Sequence, residues 1–264
     1  MILVDDHCHL THEQYKPDLA KVLQRARDTG VKAIICSGVN PPTNREALTL
    51  AKKHGPLIRC SMGIYPLDAI GKGADAAGLS VHEGPIDLAK EFTFIEENKK
   101  DIAAIGEAGL DLHWEKDKKL FEEQKTNFCK IIEFAKKINK PLIVHSRRAE
   151  RECLDILEES GIKTVVLHSF ESRKSVIKRA VELGYYFSIP VTVIKSPQFQ
   201  ILTEMANINQ IITETDGPWM SPVPGERNEP ANVRLAVEKI AEIKGFTVED
   251  TANSIWMNFQ RVYG

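Results

Sequence analysis

The sequence predicts an α/β protein built as a single (β/α)8 barrel of the TIM type, with extra helices at its C-terminal end. Three observations predict it. Short apolar, β-branched runs alternate with amphipathic helical stretches along the whole chain. Eight such runs are present, the number that closes this kind of barrel. The chain has 264 residues, near the ~250 at which such a barrel folds as one unit. No linker or internal repeat divides it, so it reads as one barrel domain over residues 1–264.

The elements follow in strict order. A strand over 1–4 precedes a helix over 18–28, and a strand over 31–39 precedes a helix over 45–54. The third strand, 57–63, leads through a small, Gly-rich loop (71–84) to a helix over 85–99. The fourth, 102–109, is followed by the longest helix, 119–139; the fifth, 141–146, by 150–159; the sixth, 164–170, by 172–183. The seventh, 185–191, precedes a weaker helix over 197–206. The eighth, 210–216, runs into a segment with four prolines (218–230), and helices over 231–244 and 247–259 close the chain. Continuous apolar strands suit a parallel sheet buried on both faces, and βα alternation implies right-handed crossovers.

Composition narrows the function classes. With 35 Lys+Arg against 37 Asp+Glu the formal net charge is -2, so no global field draws in a polyanion and any phosphate binding must be local. The 5 cysteines form no CxxC pair, which disfavours a disulfide framework or a zinc knuckle and suits reduced thiols in the cytoplasm. The first residues lack the basic and apolar regions of a signal peptide, and no apolar run is long enough to span a membrane.

The polar residues carry the chemistry. Asp5-x-His7-x-His9 follows strand 1, Glu107 lies at the end of strand 4, His145 of strand 5, His168 of strand 6 and Asp216 of strand 8. In a barrel these ends converge on one mouth, where catalytic residues of the architecture collect. Alternation puts His7 and His9 on one side, facing inward, and turns Cys8 away. Nitrogen and carboxylate oxygen suit a divalent cation, and six ligands exceed one tetrahedral site, which suggests two metals sharing Glu107. His12, His54, His82 and His113 lack such placement and read as surface residues.

In this order the motifs DDHCHL (5–10), IGEAGLD (105–111), KPLIVHSR (140–147), VVLHSF (165–170), GYYFSI (184–189), ETDGPWMSP (214–222) and RNEP (227–230) span the chain. They make it resemble the TatD-type metal-dependent deoxyribonucleases of the amidohydrolase superfamily. The resemblance implies that His7, His9, Glu107 and Asp216 hold one divalent ion (Mg, Mn or Zn) and that Glu107, His145 and His168 hold the other. It also implies DNA as substrate, taken at single-stranded ends by a 3′-5′ exonuclease, with no obligate protein partner. The family usually shows Gly-x-His-Pro after strand 3, whereas this chain has Gly63-Ile64-Tyr65-Pro66. Tyr65 can donate to a phosphate oxygen, but with a reference pKa of about 10 it is a poorer proton donor than imidazole.

The expected chemistry is attack by a metal-activated water, with Asp216 as general base. Arg147 is placed to bridge phosphate oxygens, since its planar fork suits them; Arg227, Asn228 and Lys195 are further candidates for substrate contact. Two other readings stay open: a metal-dependent amidohydrolase, esterase or lactonase on the same barrel, and a non-catalytic barrel whose metals serve stability or a partner surface.

Overall fold

The computed structural model describes residues 1–73 and 78–264. Part of the expected 71–84 loop, residues 74–77, thus lies outside the described residues. Eight parallel strands form one sheet in sequential order: β1 (Leu3–Cys8), β2 (Val31–Ser37), β3 (Ile58–Ile64), β4 (Ile102–Gly109), β5 (Leu142–His145), β6 (Val165–His168), β7 (Tyr186–Pro190) and β8 (Ile211–Glu214). They make a nearly closed (β/α)8 barrel. The helices that alternate with them are α1 (Leu19–Thr29), α2 (Pro41–His54), α3 (Pro66–Ala69), α4 (Leu88–Glu97), α5 (Lys118–Lys137), α6 (Glu150–Ser160), α7 (Lys174–Glu182) and α8 (Pro197–Met205). Then α9 (Val233–Lys244) and α10 (Val248–Tyr263) follow β8.

Local chemistry sets the helix ends. Asn40 caps α2 by accepting from the Thr43 N–H at 3.1 Å, with Pro41 at the first helical position; the helix therefore starts four residues before its expected apolar period. Asp117 caps α5 and Thr247 caps α10 in the same way. At the base of the barrel, Asn258 of α10 donates to the carbonyls of Ile208 (2.7 Å) and Ile211 (2.8 Å). Arg59 of β3 donates to the Tyr263 carbonyl at 3.0 Å.

Strand 1 differs from expectation. It runs to Cys8, so Asp5, Asp6 and His7 lie inside a fully buried strand. The reason is the seam where the barrel closes. Asp5 accepts from the backbone N–H (2.8 Å) and hydroxyl (2.6 Å) of Thr215, a pair of bonds that compensates a buried carboxyl. Beside it the Asp216 N–H donates to the His7 carbonyl (2.9 Å) and the His9 N–H to the Gly217 carbonyl (2.8 Å). The Thr213 hydroxyl donates to the Val4 carbonyl at 2.9 Å, and Cys8 bridges to Gly217 just beyond β8.

The pairing register slips at several places, and two of the slips fall at candidate site residues. Between Asp5 and Cys8 the β1 strand holds one residue more than β2, and between Ile105 and Ala108 β4 holds one more than β3 or β5. Such bulges turn a side chain out of strict alternation. The bulged backbone at Glu107 lies so close to Gly63 that any Cβ there would collide with it, and Gly109 meets the His145 carbonyl in the same way.

Candidate metal centre

At the C-terminal mouth the structure brings together His7, His9, Glu107, His145, His168 and Asp216. Three overlapping groups have one donor atom per residue within 4.8 Å of one another: His7, His168 and Asp216; His7, His9 and Glu107; Glu107, His145 and His168. Nε2 of His7 lies 3.1 Å from Nε2 of His9 and 3.2 Å from Oε2 of Glu107. Asp216 Oδ1 stands 3.4 Å from His9 Nε2 and 3.8 Å from His7 Nε2. Nδ1 of His145 faces the other oxygen of Glu107 at 2.8 Å.

Each imidazole is held from behind by its other nitrogen. His7 Nδ1 meets the Ser37 hydroxyl at 3.2 Å, and His9 Nδ1 meets the Ser37 carbonyl at 3.2 Å. His145 Nε2 donates to Asp111 Oδ2 at 3.0 Å, and His168 Nδ1 to Glu214 Oε2 at 2.8 Å. This is how metal-ligating histidines are usually oriented, with the second nitrogen fixing tautomer and ring plane. The four remaining nitrogens and the carboxylates of Glu107 and Asp216 face one another.

The residues fit a divalent cation. Donors about 2.0–2.2 Å from one ion, at tetrahedral or wider angles, stand roughly 3–4 Å apart, as the contacts among His7, His9, Glu107 and Asp216 do. Among the described residues no lysine or arginine pairs with either carboxylate, so only imidazoles balance two negative charges. Burial pushes the Glu107 carboxyl up, but hydrogen bonds from His145 and His7 outweigh it and hold the group well below its ordinary value. Asp216 is likewise held down, with His9 as hydrogen-bond partner and the charges of His168 and His7 overcoming burial. His168 goes the other way: burial disfavours its charge, yet Glu214 raises it to about 10.

Asp111 and Glu214 were given no role by sequence reasoning. The signal lay in their spacing, since Glu214 stands two residues before Asp216 and Asp111 two after Gly109, at the ends of strands that carry candidate ligands. Asp111 is tied on both sides: Oδ1 accepts from the N–H groups of His113 (2.8 Å) and Trp114 (2.9 Å), and Oδ2 also accepts the Tyr65 hydroxyl (2.8 Å). Tyr65 therefore spends its proton on Asp111, and burial raises its phenol far above the ordinary value.

Arg227 is engaged with the connection from β1 to α1: its guanidinium forms a bidentate pair with Asp18 (2.7 and 2.9 Å) and also reaches the Gln14 carbonyl. Its charge is compensated, and with Asn228, whose amide donates to the Thr215 carbonyl at 2.7 Å, it folds the 218–230 segment across β8. His12 is buried and not a surface residue: it accepts from the Gln14 N–H at 3.1 Å and meets Trp219 edge-on. Arg147 is exposed beside His145 and lies 5.5 Å from the Trp114 ring centre. Lys195 is exposed and bonds only weakly to loop carbonyls. Cys8, turned from the site, is buried and its thiol is pushed well above the ordinary range by burial, so it offers no nucleophile.

Comparison with known proteins agrees with this geometry. A family profile described as TatD related DNase matches residues 4–264. Deoxyribonuclease TATDN3 of Homo sapiens is 32% identical over 263 residues, spanning 99% of this chain and 94% of that protein. YabD, an uncharacterized metal-dependent hydrolase of Bacillus subtilis (strain 168), is 34% identical over 270 residues and 99% of each chain is covered. YJJV, a TATD homolog from Escherichia coli K12, superposes with a TM-score of 0.85 over 99% of this chain and 97% of its own; at 24% identity it speaks for the fold alone. The profile reaches from the first histidine pair to the last helix, and on that match the chain belongs to the TatD related DNase family.

Proposed function

We propose that this protein is a metal-dependent deoxyribonuclease that removes nucleotides from the 3′ end of single-stranded DNA, using two divalent ions (Mg, Mn or Zn) that share Glu107. The observation that carries the reading is the inward convergence, at an open barrel mouth, of four back-anchored histidines and two carboxylates that no lysine or arginine pairs with among the described residues. A thiolate-rich structural site would instead be closed and saturated. The choice of DNA follows the name of the human relative.

In this reading His7, His9, Glu107 and Asp216 hold one ion, and Glu107, His145 and His168 the other. Bound there, divalent ions bring the pKa of water towards neutrality and offset the charge of the phosphate under attack. Asp216 is the more open of the two carboxylates, 17% exposed against 6% for Glu107, and takes the proton of the attacking water. Its lowered pKa keeps it ionised at neutral pH. Arg147 binds the non-bridging phosphate oxygens through two N–H groups. Asp111 fixes His145, while Tyr65 acts through Asp111 and does not contact substrate. The five free cysteines, four of them buried, suit a single-domain protein of the cytoplasm.

Metal-stripped protein supplied with Mg, Mn or Zn should shorten 5′-labelled single-stranded DNA stepwise, and Glu107→Ala and Asp216→Asn should abolish the ladder. If DNA stays intact with every metal while an amide or lactone is hydrolysed, the reading is wrong.

A further inference from the structure

Trp114, in the connection from β4 to α5, stands at the same mouth as the candidate ligands and is 65% exposed, more than any other large hydrophobic side chain described. A tryptophan can bury ~150–250 Å² and this one does not. One exposed apolar side chain is ordinary on a protein surface, but three observations set Trp114 apart. Its backbone is fixed to the site, because the Asp111 carboxylate that accepts the Trp114 N–H also anchors His145 and Tyr65. Its ring is oriented, since His113 meets it edge-on with centres 4.6 Å apart and planes at 85°. Cations stand beside it: the Arg147 guanidinium lies 5.5 Å from the ring centre and pairs with no carboxylate among the described residues, and Arg148 and Lys116, with the Asp111 carboxylate opposing them, are close enough to act on His113.

An exposed, rigid indole beside an unpaired planar cation has the chemistry of nucleobase binding. Every base presents a π-face, so stacking tolerates any sequence, and arginine can hold a phosphate while lying against an aromatic ring. We propose that Trp114, flanked by His113 and Arg147, is a stacking platform for a base adjoining the phosphodiester bond cleaved. This rests on the nuclease reading and adds to it the residue that recognises the substrate as a nucleotide. In that reading Arg147 holds a phosphate and Trp114 senses the base.

The test uses full-length protein and 12-nucleotide single strands in which one of the three nucleotides nearest the 3′ end is replaced by an abasic residue. At one of those positions the missing base should raise the wild-type KM by about 5- to 30-fold. In Trp114→Ala the KM on the unmodified strand should rise by a similar factor, and the abasic replacement should add nothing further. Trp114→Phe should keep most of the preference for a base. Without turnover, a phosphorothioate strand should quench the fluorescence of wild-type protein and quench that of Trp114→Phe much less. An abasic penalty equal in wild type and Trp114→Ala would overturn the platform and leave the nuclease reading standing. Wild-type protein that cleaves no strand with Mg, Mn or Zn would overturn both.

Discussion

Asp111 shows how one residue behind a site controls several in it. Its carboxylate receives His145 Nε2, the Tyr65 hydroxyl and the N–H groups of His113 and Trp114, and Gln124 of α5 brackets its backbone with bonds of 2.8 and 3.2 Å. Removing the acceptor charge frees the His145 ring while its metal-facing nitrogen remains. Asp111→Asn should therefore weaken metal binding about 10- to 100-fold, read by competition with a chromophoric chelator. Tyr65→Phe deletes one of the bonds to Asp111 and keeps the rest, so its loss should be smaller; equal losses would show that the tyrosine itself meets the metal or substrate. At this scale the six inward donors were legible because histidine and carboxylate at strand ends have few other uses. Their rear anchors were not. Serine, glutamate and aspartate are common in any barrel, and only the folded geometry shows that Ser37 serves both His7 and His9.

Elements were legible in kind and misjudged at edges. The first strand was expected to end with its apolar run at residue 4, whereas Thr215, just beyond the last strand, supplies the bonds that keep Asp5 inside. The two bulges left no trace in the one-dimensional pattern, since register belongs to a pair of strands. Glycine was the available hint. Gly63→Ala should cost about 1–3 kcal/mol, seen as a lower Tm, and should weaken metal binding in parallel because the collision is with the backbone of Glu107; a normal Tm with normal metal affinity would remove the case for close approach. The 218–230 segment offers a second test. The hydrogen bond from Arg227 holds the Asp18 carboxyl down to about 2. A group whose folded pKa lies below its unfolded value of about 3.9 contributes stability above that pH and loses it as pH falls towards the folded value. Hydrogen-exchange protection of 218–230 should thus decline between about pH 4 and 2, and Asp18→Asn should remove that dependence.

For the whole molecule, alternation of eight strand and helix units was enough to give the architecture. How the circle closes was not legible, because the bonds between β1 and β8 join residues about two hundred positions apart in the chain. The near-neutral charge also gains meaning at this scale. With a net charge of -2, the proposed binding of a single strand would rest on a handful of contacts around the site. Each phosphate contact on single-stranded DNA contributes about 0.7 to the slope of log K against log salt. A slope no steeper than about -2 is expected, measured with a phosphorothioate strand from low to physiological salt. A much steeper slope would reveal an extended basic track not seen among the described residues.

The seam has a consequence for the order in which the protein comes into being. His7 and His9 are synthesised some two hundred residues before Asp216 and the backbone that pins His7 in place. Every partial product therefore carries an incomplete set of donors on an open sheet. The complete set of six donors comes together only in the step that shuts the ring.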